Sequence, residues 1–252
     1  MAVSIKSARE IELMREAGKR LAHVHQELEA MIAPGIFTWE IDAKGEKLIR
    51  DCGCIPNFLH YNGYPASICV SVNDEVVHGI PRKDRYLKEG DIVSLDAGLI
   101  YKGYHSDAAR THAVGKVSTE AQKLMDVTKQ SFFEGIKMAK EGQHLHDISR
   151  AIEEYVTPYG YGIVRDLVGH GIGTALHEDP QIPNYAQKRR GVRLQAGMTL
   201  AIEPMINAGT WQVRFLRDGW TVVTKDGSLS AHYENTILVT DGEPEILTLG
   251  QI

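Results

Sequence analysis

The chain has 252 residues, 43% of them hydrophobic, and a net charge of -5, the make-up of a globular protein long enough to bury a large core. That balance argues against a chain-wide surface for nucleic acid or anionic membrane, and the triplet Lys188-Arg189-Arg190 reads as a solvated loop. No apolar run reaches the ~18–20 residues that span a bilayer, the N-terminus lacks a signal peptide's apolar core, and Cys52, Cys54 and Cys69 form no C-x-x-C pair, so a cytoplasmic protein is expected.

In chain order, Ser7 and Glu10 form a capping box, and Ile11, Met14, Leu21, Val24, Leu28 and Met31 recur at helical spacing, which predicts a helix from Ser7 to about Ile32, stopped by Pro34-Gly35. Thr38 is read as the cap of a second helix through about Asp51, with Gly53 as its end signal. Residues Asn57 to Pro65 read as a loop, unusually rich in rings with Phe58, His60, Tyr61 and Tyr64. A strand over Ile68 to Asn73 leads to His78-Gly79-Ile80-Pro81. Ile92 to Ile100 reads as a buried strand, Lys102-Gly103 as a turn, and a paired strand begins near Tyr104. The pattern then repeats, with a helix from Ser118 or Thr119 to about Lys140, a helix from about Leu145 to Val156, and strands near Ile163–Val168, Thr199–Ile202 and Thr236–Val239.

A single offset relates the two halves. Met31-x-x-x-Gly35 falls on Met138-x-x-x-Gly142, Ile41 on Ile148, and Leu87-x-x-Gly90 on Leu194-x-x-Gly197, each 107 residues on. The same shift carries Asp96 onto Glu203, at the end of the apolar run Leu200-Ala201-Ile202. Separated blocks that agree on one offset indicate internal duplication.

Asp96 and Asp107 lie in the paired strands. A buried carboxylate without a partner costs several kcal/mol or takes up a proton. Three partners are open: neutral hydrogen-bond donors, an arginine such as Arg110, or a metal. The separation of eleven residues is odd, which raises the expectation of a bulge or three-residue loop to aim both at one point. His170, in Gly169-His170-Gly171-Ile172-Gly173, follows an apolar strand, and its flanking glycines permit close approach of a ligand. With Glu203 and Glu234, these residues supply one nitrogen and four carboxylates, a set suited to two divalent cations.

The ordered set His78-Gly79-Ile80-Pro81, Asp96, Asp107, Gly169 to Gly173, His177-Glu178-x-Pro180, Ile202-Glu203-Pro204 and Glu234 resembles the type I methionine aminopeptidases of the pita-bread metallopeptidase family M24, over nearly the full chain. The resemblance implies an α+β pita-bread (creatinase/aminopeptidase) fold: two pseudo-symmetric halves, roughly residues 1–112 and 113–252, in one catalytic domain, with a curved antiparallel sheet covered by helices. It implies that Asp96 chelates one metal ion, that Asp107 and Glu234 bridge both, and that His170 and Glu203 complete the other site. The ion could be Co, Mn, Fe, Zn or Ni, since a mixed nitrogen and oxygen set accepts several. Glu203 is implied to move the proton of the attacking water, His177 to stabilise the tetrahedral oxyanion, and His78 to bond the scissile peptide. Phe58, Tyr61, Tyr64, Cys69, Leu176 and Trp220 are implied to hold the methionine side chain.

The implied substrates are nascent N-termini after deformylation, with a small second residue as in this chain's own Met1-Ala2. A monomer is expected, with transient ribosome contact and no membrane or specific nucleic-acid partner. The chain departs from the common family pattern at Phe58 (commonly Cys), Leu176 (commonly Phe), Asn62 (commonly His) and His232 (commonly Gln). The first two suggest a volume-conserving exchange of one ring for another. Two rival readings are a pita-bread peptidase for X-Pro bonds and a peptide-binding pseudoenzyme of the same fold.

Overall fold

The structure is a computed structural model that describes residues 3–249. In the first half, helices α1 (Ala8–Glu29) and α2 (Thr38–Asp51) precede strands β1 (Ile55–Pro56), β2 (Ile68–Val72), β3 (Glu75–Val77), β4 (Ile92–Tyr101) and β5 (Tyr104–Ala113). In the second, α3 (Thr119–Ile136) and α4 (Leu145–Val156) precede β6 (Gly162–Ile163), β7 (Gly169–Gly171), β8 (Glu178–Ile182), β9 (Thr199–Ile202), β10 (Met205–Asn207), β11 (Val213–Phe215), β12 (Val222–Thr224), β13 (Ser230–His232), β14 (Glu234–Leu238) and β15 (Glu245–Ile246). The main sheet runs β1-β4-β5-β14-β9-β7-β8, with β2 also on β4 and β15 on β14, and its pairs are antiparallel. Among the described residues, no helix is long and apolar enough to cross a membrane.

Each half has its own core. Val93, Leu95, Ala97 and Leu99 alternate onto one face of β4 and pack with Leu21 and Leu28 of α1 and Ile41 of α2. Phe132 of α3 and Ile148 and Ile152 of α4 pack with Leu200 and Ile202 of β9. The alternation that buries Leu95 against the helices turns Asp96 to the other face, so the helices hold the sheet from behind and leave the second face for chemistry.

The 107-residue offset is kept in hydrogen bonds between distant residues. Gly35 N–H donates to Leu87 O at 2.7 Å, and Gly142 N–H to Leu194 O at 2.9 Å. Leu87 N–H donates to Ile36 O and Leu194 N–H to Gln143 O, both at 2.8 Å. Gly35 and Gly142 sit at φ +94° and +87°, a region an L side chain avoids, so the turn after each half's first helix requires glycine at both positions. The helix boundaries repeat as well: shifted by 107, the end of α1 at Glu29 falls on Ile136, where α3 ends, and the start of α2 at Thr38 falls on Leu145, where α4 starts.

Several expected boundaries move. The helix expected to reach Ile32 ends at Glu29, and that expected to reach Lys140 ends at Ile136. Thr38 is not the cap of α2. Phe37 is, its N–H bonded to the Glu40 carboxylate at 2.8 Å, while the Thr38 hydroxyl accepts the Arg82 N–H at 2.8 Å and ties the helix to the 82–85 loop. The strand expected over Ile163–Val168 pairs only at Gly162–Ile163, with one more bond from Val164 N–H to Met205 O. Beyond it the polar pair Arg165-Asp166 leaves the sheet, and Arg165 lies over the rings of Tyr185 and Trp211.

Candidate active site

The registers of five strands set the site. Residues directly opposite across an antiparallel pair share a face. Asp96 faces Ala109 and Gly98 faces Asp107 across β4 and β5, so the two aspartates, level with positions two apart on β5, point the same way. No bulge is involved. The turn Lys102-Gly103, at φ +49° and +86°, is a two-residue loop between the paired Tyr101 and Tyr104. In such a hairpin opposite residues differ by an odd number, so the odd separation is what brings the carboxylates together, and the expected bulge or three-residue loop is corrected. From β14, Glu234 faces Ala109, while Thr236 faces Ala201 of β9, which in turn faces His170 of β7. Glu203 lies two residues beyond Ala201, one past the end of β9. Five side chains from five segments therefore converge on the helix-free face.

Space and backbone geometry are fitted to this convergence. A Cβ on Gly98 would lie 2.6 Å from Asn57 Nδ2 and 3.0 Å from Asp107 Oδ1, so only glycine fits there. The Thr236 hydroxyl accepts the Asp107 N–H at 3.0 Å and donates to Asp107 O at 2.9 Å, replacing the ladder bonds at that step. His170 Nδ1 lies 2.8 Å from Gly171 O, and its Nε2 lies 3.6 Å from Glu203 Oε1. A carbonyl only accepts, so Nδ1 carries the proton and Nε2 is a bare ligand nitrogen.

The electrostatics show what this polar face can bind. Burial pushes the Asp96 carboxyl up to about 7. Asp107 is raised well above its ordinary value by burial and then by the charges of Asp96 and Glu203. Glu203 is raised by burial and then by Asp96, and Glu234 by burial and then by Asp107. Asp96 Oδ1, Asp107 Oδ1 and Glu234 Oε1 are buried with no hydrogen-bond partner among the described residues. Arg110 does not neutralise either aspartate. It faces Leu95 on the helix side, donates to the carbonyls of Ala109 and Glu234 and to Asn235 Oδ1, and stacks over Tyr233 at 4.6 Å. One ligand atom from each of Asp107, His170 and Glu234 falls within a 4.8 Å group, as does one from each of Glu203, His232 and Glu234. Like charges this close in a low-dielectric site need either protons or cations, and the donor set fits divalent metal ions.

A cavity of about 230 Å³ opens over these five side chains. Besides the five, it is lined by Phe58, Tyr61, Asn62, Tyr64, Cys69, His78, Leu176, His177 and Trp220, so the structure brings all the residues singled out from sequence to one place. Phe58, Tyr64, Cys69 and Leu176 are buried in one apolar cluster against which Tyr61 and Trp220 pack. Trp220 stands edge-on to Tyr64 and to His78, at centroid distances of 5.2 and 6.3 Å. Its position is fixed by a turn in which Asp218 accepts the N–H groups of Trp220 and Thr221, both at 2.9 Å. His78 has φ +58°, a backbone state rare for a non-glycine residue. Burial lowers its pKa to about 4, so the ring is neutral at pH 7. Burial likewise lowers His177, and takes His170 down to about 3.

Gly98, Asn62 and His232 are not among the site residues that the sequence singles out. Gly98 gives no signal until Asn57 and Asp107 are seen to close on it. His232, noted only as a departure from the family pattern, is 1% exposed, with Nε2 3.7 Å from Glu234 Oε2 and 4.0 Å from Glu203 Oε2. Its place two residues before Glu234 was the available signal.

A sheet face carrying four carboxylates and one imidazole beneath a ring-lined pocket is the site of a metal-dependent hydrolase. Metallopeptidase family M24 matches residues 12–241, and the chain belongs to that family. It is 54% identical over 247 residues to a methionine aminopeptidase of Clostridium acetobutylicum, covering 98% of this chain and 99% of that relative. The crystal structure of methionine aminopeptidase from Thermotoga maritima superposes with a TM-score of 0.96 at 47% identity, covering 98% of this chain and 100% of that one. A Xaa-Pro dipeptidase from Bacillus anthracis shares the fold at a TM-score of 0.76 and 25% identity, but this chain spans only 62% of its length. The architecture is thus the pita-bread fold expected from the sequence.

Proposed function

We propose that this chain is a methionine aminopeptidase that removes the initiator methionine from nascent proteins and peptides with a small second residue. The observation that carries this reading is the candidate metal-ligand face lying directly under a pocket of aromatic rings and one thiol. The pocket is small beside the roughly 300–1,000 Å³ of sites for drug-sized ligands, as one side chain and its amino group require. Rings and sulfur suit a thioether, which gains polarisable contacts in a dry slot.

Asp96 with Asp107 and Glu234 would hold one divalent ion, and Asp107 and Glu234 with His170 and Glu203 a second. When bound, the ions would polarise the amide carbonyl and supply a water acidic enough to attack it near neutral pH. Glu203, 14% exposed at the pocket floor, takes a proton at its carboxylate and returns it to the leaving amine. His177, at the rim, donates to the oxyanion, and His78 bonds the scissile peptide. Phe58, Tyr64, Cys69, Leu176 and Trp220 enclose the methionine side chain, with Tyr61 at their edge. A free α-amino group is needed beside Asp96 and Asp107, so formylated chains must be deformylated first. The enzyme works as a single catalytic domain and a monomer in the cytoplasm, with transient contact at the ribosome.

The test compares Met-Ala-Ser, Ala-Pro-Ala and N-formyl-Met-Ala-Ser across Mn, Fe, Co, Zn and Ni. Hydrolysis of Met-Ala-Ser alone is expected. Hydrolysis of only the proline peptide would establish the X-Pro rival, and no hydrolysis with any metal would leave a peptide-binding pseudoenzyme.

A further inference from the structure

His170 and His177 have their ring centroids 4.3 Å apart, yet their Nδ1 atoms meet opposite kinds of partner. His170 Nδ1 faces the Gly171 carbonyl, which fixes the proton on Nδ1. His177 Nδ1 lies 2.8 Å from the Tyr61 hydroxyl, which can donate. A phenol is a better donor than acceptor, because its oxygen lone pair is delocalised into the ring. The Tyr61 hydroxyl also has no other partner among the described residues, so donation to Nδ1 is the bond that uses its proton.

The loop holds Tyr61 to this task. His60 N–H donates to Tyr64 O at 2.8 Å and Tyr64 N–H to Tyr61 O at 3.0 Å, closing a tight turn around it. His60 and Asn62 on either side take φ +67° and +49°, a backbone state that non-glycine residues rarely adopt. The Tyr61 and His177 rings are 5.5 Å apart and tilted at 42°.

We propose that Tyr61 is a positioning residue that sets the tautomer of His177: its hydroxyl donates to Nδ1, leaving the proton on Nε2 as a donor for the substrate carbonyl oxygen. Neighbouring imidazoles are thereby held in opposite tautomers, His170 as a ligand with bare Nε2 and His177 as an N–H donor. The inference rests on the reading of His177 as the oxyanion donor and adds a role for Tyr61 beyond lining the pocket.

The test uses metal-free protein labelled with 15N in histidine. Long-range 1H–15N correlation reports which ring nitrogen is protonated, and His177→Ala identifies the signal. The wild type is expected to show His177 protonated at Nε2, and Tyr61→Phe, which keeps the ring and removes the hydroxyl, to show mixed or Nδ1-protonated signal. With metal restored, Tyr61→Phe should lower kcat roughly tenfold with KM changed less than about twofold, and should cost nothing further in a His177→Ala background. A wild-type proton on Nδ1, or a spectrum unchanged by Tyr61→Phe, overturns the proposal, as does a rise in KM alone. A His177→Ala variant with unchanged kcat would instead remove the oxyanion reading, whatever the tautomer.

Discussion

The two halves of the chain place a carboxylate at the same point of the same plan and then diverge. In the first, β4 runs five residues past Asp96, turns through Lys102-Gly103 and returns Asp107 on β5, eleven residues later. In the second, β9 ends at Ile202, and Pro204 has no N–H with which to extend the ladder. The chain leaves through β10 to β13 and returns Glu234 on β14, 31 residues after Glu203 (234 − 203). That excursion brings Trp220 and His232 to the site. An intact hairpin supplies carboxylates alone, whereas an interrupted one supplies carboxylates and a wall of the cavity.

The comparison is broken most directly at the two positions proposed to bridge the ions. Asp107→Asn and Glu234→Gln should each abolish binding of both metal ions and lower kcat by on the order of 10³-fold or more, whereas Asp96→Asn should forfeit one ion. Metal stoichiometry by elemental analysis beside Met-Ala-Ser kinetics checks this, and an Asp107→Asn enzyme that retained two ions would undo the bridging assignment. Next in size is the excursion. Trp220→Ala should lower kcat/KM for methionine peptides roughly 10- to 100-fold, mostly through KM, by removing a ring packed on Tyr64 and His78. A loss confined to kcat would place Trp220 in the chemistry instead.

A third effect sharpens the electrostatic account. Asp96 has a folded pKa of about 7 against an ordinary 3.8. An acid raised by folding stabilises the fold fully below its unfolded pKa and loses that contribution as pH rises through the folded value. Metal-free protein should therefore lose several degrees of Tm between about pH 4 and 8, with Asp107, Glu203 and Glu234 acting in the same direction. Saturating divalent cation should abolish the loss, as calorimetry with and without chelator would reveal. The smallest effect concerns the exchange of rings in the pocket. Phe58 and Leu176 are buried in one cluster, so Phe58→Cys should raise KM for methionine peptides a few-fold, ~1 kcal/mol, and Phe58→Cys with Leu176→Phe should recover it. Wild-type kinetics for Phe58→Cys would remove the compensation.

Much of this was legible because its causes are local. Ser7 and Glu10 cap α1 as read. Lys102-Gly103 forms the expected turn, and the 107-residue offset reappears in paired hydrogen bonds such as those of Gly35 and Gly142. The readings that moved depended on partners elsewhere. Thr38 had the side chain of a cap, but the 82–85 loop claims its hydroxyl. The strand from Ile163 needed a partner longer than β10 offers. The odd spacing of Asp96 and Asp107 was misread because alternation along one strand says nothing about which residues of two strands stand opposite.

The sequence by itself determined the helices, the turns, the offset that relates the two halves and the carboxylates and imidazole whose chemistry suits a metal, since these follow from residue chemistry and short-range backbone preference. Only the tertiary structure decided that the five candidate ligands share one face, that Gly98 must lack a side chain, that Arg110 turns away, and that Tyr61 meets His177. Register and side-chain partnership are fixed by packing between segments far apart in the chain, where a shift of one residue would turn a carboxylate from the polar face into the apolar core.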